Sequence, residues 1–131
     1  MKRQLFVNLP ADDLERSKAF FTSLGFTFNA QFTNEKGACM IVEDNIYVML
    51  LTKEFFSIFT AKPISNAMNS TEVINCLSCN SRDEVDDLVR KAVAAGGTVP
   101  RPPVDYGNMY GHGFEDLDGH LWEVMYMEAS Q

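Results

Sequence analysis

Three stretches of the 131-residue chain hold side chains able to do chemistry. In "LWEVMYM" (121–127) a carboxylate, Glu123, stands among Trp122, Val124, Met125 and Met127. An ionised acid facing an apolar interior is costly unless it is paired, hydrogen-bonded or bound to metal. Glu123 therefore either meets solvent or marks a site. In "MYGHGFED" (109–116) His112 sits between two glycines. An imidazole, with an unperturbed pKa of about 6.5, can serve as general acid or base; the alternative is a solvent-facing position at a strand edge. In "EVINCLSC" (72–79) Cys76 and Cys79 spell C-x-x-C, a spacing used in redox and zinc chemistry. Here the surrounding residues favour a strand, where side chains three apart face opposite sides, and no second C-x-x-C exists to complete a zinc site. Ordinary strand cysteines are expected.

Composition narrows the chemistry. The chain carries a net charge of −7 and has no Lys/Arg cluster, which argues against nucleic acid and anionic membranes as partners. No apolar run approaches the roughly 18 residues of a membrane span. The opening "MKRQLFVNLP" reaches Pro10 too soon to hold a signal peptide's apolar region. Together with three cysteines, an odd number, this predicts a cytoplasmic protein without a disulfide framework.

The elements that must position these residues repeat. "LFVNL" (5–9) reads as a strand. Asp12 then offers a helix N-cap with Glu15 three residues on, Leu14, Phe21 and Leu24 form a stripe, and Gly25 stops the helix. In the second half 73–79 reads as a strand and Ser81 caps with Glu84. Val85, Leu88, Val89, Ala92 and Ala95 form the stripe, which Gly96-Gly97 ends. After each helix come strand-like pieces: 26–32, 38–43 and 46–51 in the first half, and 98–104, 109–116 and the segment after Asp118-Gly119 in the second. The turns Asp44-Asn45 and Asp118-Gly119 lie 74 residues apart (118 − 44), which aligns Met49 with Glu123. Each half thus reads β-α-β-β-β. The expected architecture is α+β: a single domain, 1–131, of two βαβββ modules (about 1–52 and 73–131) forming a curved mixed sheet around a cavity. A connector, 53–72, joins them, in which "KEFFSIF" has the look of a short helix, lid or interface.

With Asp118-Gly119 as a two-residue turn, Phe114 faces Glu123 and His112 faces Met125, so all four share one side of the hairpin and His112 becomes a diagonal neighbour of Glu123. By alternation Asn8 shares a face with Phe6, and Cys76 with Ile74.

The doubled plan, opened by "FVNLPADDLERSKAFFTSLGF" and closed by "FEDLDGHLWEV", resembles the vicinal oxygen chelate superfamily, which includes glyoxalase I, extradiol dioxygenases and bleomycin-resistance proteins. The resemblance covers essentially the whole chain and looks closest to small bacterial glyoxalase-like proteins, predicted lactoylglutathione lyases. It implies homodimers with composite pockets. In catalytic members it also implies a divalent metal held by His, Gln or Glu on the first and last strands of each repeat. Carried onto this chain, those positions are Phe6, Met49, Ile74 and Glu123. Phe and Ile have no donor atom and a Met thioether suits soft metals, so the usual divalent metal is disfavoured and no metal ligand set is assigned.

What remains is an apolar, aromatic cavity with a few polar groups, suited to a small molecule. Its expected lining is Phe6, Asn8, Met49, Ile74, Cys76, Phe114 and Met125, with Tyr106 and Tyr110 at the rim and His112 and Glu123 as the acid–base candidates. Two functions compete: metal-independent binding of a small ligand, as in bleomycin-resistance proteins, and catalysis. The catalytic reading is a glyoxalase I-type lyase or isomerase, or a metal-free enzyme using His112 and Glu123.

Overall fold

In the computed structural model, which describes residues 2–128, the chain divides into two units, Met1–Ser65 and Asn66–Gln131. Among the described residues the strands form two separate four-stranded mixed sheets, one in each unit, rather than one continuous sheet.

In the first unit the order is β1-β4-β3-β2. Strand β1 (Leu5–Ala11) runs parallel to β4 (Ile46–Thr52), and β4 pairs antiparallel with β3 (Gly37–Glu43). As an edge strand β1 tolerates Pro10, which has no amide hydrogen to give a neighbour. Asp44-Asn45 makes the expected two-residue turn, with Glu43 opposite Ile46, and an irregularity between Ile41 and Glu43 then shifts the register. Helix α1 (Leu14–Ser23) packs on β3 and β4 and buries Leu14, Phe20 and Phe21 against Ala38, Met40, Val48 and Leu50. Its N-cap is Asp13, not Asp12: the Asp13 carboxylate accepts from the Arg16 amide at 3.2 Å. Leu24 closes the helix and Gly25 follows at φ 103°, as a helix stop requires. The expected strand at 26–32 shrinks to β2 (Thr27–Phe28), because the Asn29 side chain accepts from the Gln31 amide and starts a 3₁₀ turn at Ala30–Phe32. "KEFFSIF" is the expected short helix, α2 (Lys53–Phe56), running into a 3₁₀ turn at Ser57–Phe59.

The second unit repeats this order as β5-β8-β7-β6. Strand β5 (Ile74–Ser78) runs parallel to β8 (Leu121–Met127), which pairs antiparallel with β7 (Met109–Glu115). The extended stretch 98–104 contributes only an isolated bridge, Thr98 to Glu115, before β6 (Val104–Asp105). Helix α3 (Arg82–Ala94) is capped by Ser81, whose hydroxyl accepts from the Glu84 amide at 3.0 Å. Glu84 reaches back to the Asn80 amide at 2.6 Å. The helix lies on β7 and β8 with Val85, Val89 and Ala92 buried.

The duplication holds in register. Cys39 opposes Met49, and 74 residues on Gly113 opposes Glu123; Asn8 lies beside Met49 as Cys76 lies beside Glu123. No helix among the described residues is long and apolar enough to cross a membrane.

Candidate functional site

The β7–β8 hairpin sets which residues share a surface, and its register differs by one residue from the expectation. The loop holds three residues, Leu117, Asp118 and Gly119: the Asp116 amide donates to the His120 carbonyl, and the Gly119 amide to the Asp116 carbonyl, with Gly119 at φ 87°. This is the three-residue hairpin with its third residue left-handed. Phe114 therefore opposes Trp122, His112 opposes Val124, and Gly113 opposes Glu123.

One residue of slip exchanges the faces. Tyr110, His112 and Phe114 lie on the α3 side with Trp122 and Val124. Phe114 stacks on Trp122 (centroids 6.4 Å apart) and is buried. The Tyr110 hydroxyl donates to Asp86 of α3 at 2.5 Å, under the Arg82 guanidinium, and this bond raises the Tyr110 pKa. His112 Nε2 lies 3.2 Å from the Arg101 carbonyl oxygen, where a protonated ring nitrogen donates. None of these three shares the face of Glu123, so the expected His112–Glu123 pair does not form. Tyr106 is exposed.

The other face carries Ile74, Cys76, Glu123 and Met125, with Gly111 and Gly113 opposite Met125 and Glu123. Gly113 of "GHG" makes this surface possible. A Cβ on Gly113 would collide with the Glu123 carboxylate and come within 2.8 Å of the Trp122 carbonyl oxygen. Glu123 lies down into that space, its side chain 21% exposed, and its Oε1 stands 3.6 Å from the Arg101 guanidinium. The acid that opened the question is thus neither free nor turned to bulk water; it is paired. Arg101 is the residue the sequence reading missed. It lies within the extended stretch 98–104, between the Thr98 bridge and β6, and only the folded edge of β7 brings it to Glu123.

Cys76 is exposed beside Glu123, and burial of its sulfur together with that carboxylate raises its pKa. Cys79 is pushed up to about 11 by burial and by Glu84 and Cys76. Reactive C-x-x-C pairs have lowered values, so these thiols are protonated at neutral pH; Cys76 is the expected strand residue, whereas Cys79 lies just past the end of β5.

The most deeply buried acid is Asp116, which the sequence reading passed over as the end of a strand. Its Oδ1 accepts from the amides of Asp118 and His120 at 2.9 and 3.0 Å, and its Oδ2 from Trp122 Nε1 at 3.0 Å. Burial raises its pKa, against the opposing pull of His120 and these hydrogen bonds. Asp116, Asp118 and His120 bring possible metal-binding atoms within 4.8 Å of one another. Both Asp116 oxygens are already acceptors within the turn, so the cluster is built as a clamp on the hairpin and on Trp122.

In the first unit, Phe6, Asn8 and Met49 fall on one face of the sheet, as expected from alternation. Phe6 stacks on Tyr47 with centroids 4.8 Å apart, and the Asn8 amide group donates to its own strand at the Phe6 carbonyl, 3.4 Å away. The four positions that the resemblance assigns to a divalent ion are thus two hydrocarbon side chains, a thioether and a carboxylate beside a guanidinium. Hard divalent ions need several oxygen or nitrogen donors. This set does not fit such an ion.

Comparison with known proteins agrees with the architecture. A family model described as bleomycin resistance protein-like N-terminal matches residues 3–42. A hypothetical protein from S. aureus is 31% identical over 96% of this chain and 94% of its own, with a TM-score of 0.81. A glyoxalase/bleomycin resistance protein/dioxygenase family enzyme from Burkholderia phytofirmans has the same fold (15% identity, TM-score 0.80, 96% and 99% coverage). So does a lactoylglutathione lyase from Agrobacterium tumefaciens (20% identity, TM-score 0.69, 96% and 94% coverage). No curated protein matches the sequence significantly. The duplicated βαβββ plan, its register and these matches agree: the chain has the fold of the glyoxalase/bleomycin resistance/dioxygenase proteins, and its residues 3–42 match the bleomycin resistance protein-like N-terminal family.

Proposed function

We propose that this chain binds a small apolar or amphipathic molecule and does so without the divalent ion used by catalytic members of its superfamily. One observation carries the reading. The single acid left at the four inherited ligand positions, Glu123, is paired with Arg101 over Gly113, on a face that also carries Ile74, Cys76, Ser78, Leu121 and Met125. A carboxylate neutralised by a guanidinium is a poor start for a metal site and a good polar anchor in an apolar one. A homodimer in the cytoplasm is part of the same reading, and light scattering on the purified protein checks the assembly.

The test is a thermal-shift screen of small molecules on the wild type and on Glu123→Ala. A compound that raises the unfolding midpoint of the wild type and shifts that of the variant by a different amount supports the reading. One that stabilises both equally removes Glu123 from the contact. A glyoxalase I-type lyase is the competing reading, drawn from family membership. It requires a metal, and one equivalent of Ni, Zn or Mn in the purified protein, with turnover of a hemithioacetal, would establish it.

A further inference from the structure

We propose that Arg101 is the group that recognises the ligand, with Glu123 as its internal counterion, so that the bound molecule is an amphipathic anion: a carboxylate or phosphate joined to an apolar body. This deepens the small-molecule reading and rests on it. Arg101 and Glu123 are close enough to attract, yet 3.6 Å is beyond the usual hydrogen-bond range. Arg82, the first residue of α3, is used quite differently. It makes two bonds to Asp105, at 2.7 and 3.2 Å, and a third to the Gly107 carbonyl at 2.8 Å, and it stacks on Tyr110. Arg101 has five N–H donors on a side chain 63% exposed and, among the described residues, is paired with Glu123 alone.

The asymmetry of exposure assigns the roles. Glu123, 21% exposed, is sunk over Gly113, while the guanidinium stands outside it. An arriving ligand therefore meets the cation first. A planar carboxylate can take two parallel N–H bonds from Arg101, a better arrangement than the loose contact that Glu123 makes. The apolar body then has Ile74, 53% exposed, and Met125 on the same face to cover. Glu123 holds the guanidinium over the face when no ligand is bound and repels the ligand's anion when one is. It is a counterion that the ligand displaces.

These roles predict opposite effects for the two partners. Titrating octanoate, octanamide and inorganic phosphate into wild type, Arg101→Gln, Arg101→Lys and Glu123→Gln by calorimetry separates them, with unfolding midpoints confirming that each variant folds. Octanoate should bind the wild type more tightly than octanamide or phosphate. Arg101→Gln should weaken octanoate about tenfold or more and leave octanamide unchanged, and Arg101→Lys should fall between. Glu123→Gln should tighten octanoate severalfold. Equal binding of octanoate and octanamide, indifferent to Arg101→Gln, would overturn the assignment of Arg101 while leaving an apolar site in place. Phosphate as tight as octanoate would overturn the apolar body. If octanoate binds neither wild type nor Glu123→Gln, the anion proposal falls, and the broader reading then stands or falls by neutral compounds in the screen.

Discussion

Asp116 shows how one side chain can bias a whole hairpin. Its two oxygens collect three donors that would otherwise be buried without partners, including the Trp122 indole beneath α3. An unsatisfied buried donor costs about 1–3 kcal/mol. Asp116→Asn keeps one acceptor oxygen but turns an amide toward Trp122 Nε1, donor against donor, and is expected to lose about 1–2 kcal/mol in urea unfolding; Asp116→Ala should lose more. The pH profile tests the same carboxyl. Because burial raises its pKa above the ordinary 3.8, the stability its neutral form contributes is full below 3.8 and is lost as pH rises through the raised value. The asparagine variant does not titrate there, so its deficit should widen as the pH is lowered; a deficit that narrows would mean that the hydrogen bonds outweigh the desolvation. Gly113 is the second test at this scale. Gly113→Ala puts a Cβ against the Trp122 carbonyl and the Glu123 carboxylate and should cost about 1–3 kcal/mol. Gly111→Ala meets its nearest atoms at 3.7 and 4.0 Å and should stay within about 0.5 kcal/mol.

Elements were the most legible scale, because helix and strand signals are local. The α3 stripe and its Ser81–Glu84 cap were readable directly, since capping depends on neighbours three residues apart. The α1 stripe was equally plain, but two adjacent acids competed for its cap and local pattern does not choose between them. Geometry does: Asp13 accepts from the Arg16 amide, whereas Asp12 pairs with Lys53 in solvent at 3.3 Å. Asp13→Ala should therefore cost about 1 kcal/mol and Asp12→Ala less than half of that, measured by thermal unfolding of each variant. Less was legible at the hairpin. Asp118-Gly119 marked the turn correctly, but a two- and a three-residue loop share that dipeptide, and the difference moved His112, Phe114 and Tyr110 to the α3 side. Glu123 was readable as an anomaly in its strand. Arg101 was not, because nothing in the 21 intervening residues ties a loop arginine to a strand acid.

At the scale of the molecule, the repeat explains what was kept and what was lost. Both units preserve the offset of 74 residues between their hairpins, so the positions Met49 and Glu123 remain structurally equivalent although their chemistry has diverged. A fold can keep a backbone position without keeping a ligand there, and the four positions that the resemblance assigns supply one carboxylate, already opposed by a cation. A ligand that binds only the folded state stabilises it in proportion to the logarithm of its concentration over its dissociation constant, about 2.7 kcal/mol at a hundredfold excess over that constant. Stoichiometric Ni, Zn or Mn at micromolar concentration should therefore leave the unfolding midpoint of the wild type where it is, if the set is as unfit as its donors imply. The hairpin clamp supplies the control, since Asp116, Asp118 and His120 hold donor atoms within 4.8 Å. A metal-dependent rise abolished by Asp116→Asn would locate an ion at the turn and leave the Glu123 reading intact. A rise abolished by Glu123→Ala would place an ion at Glu123 and overturn the metal-independent reading.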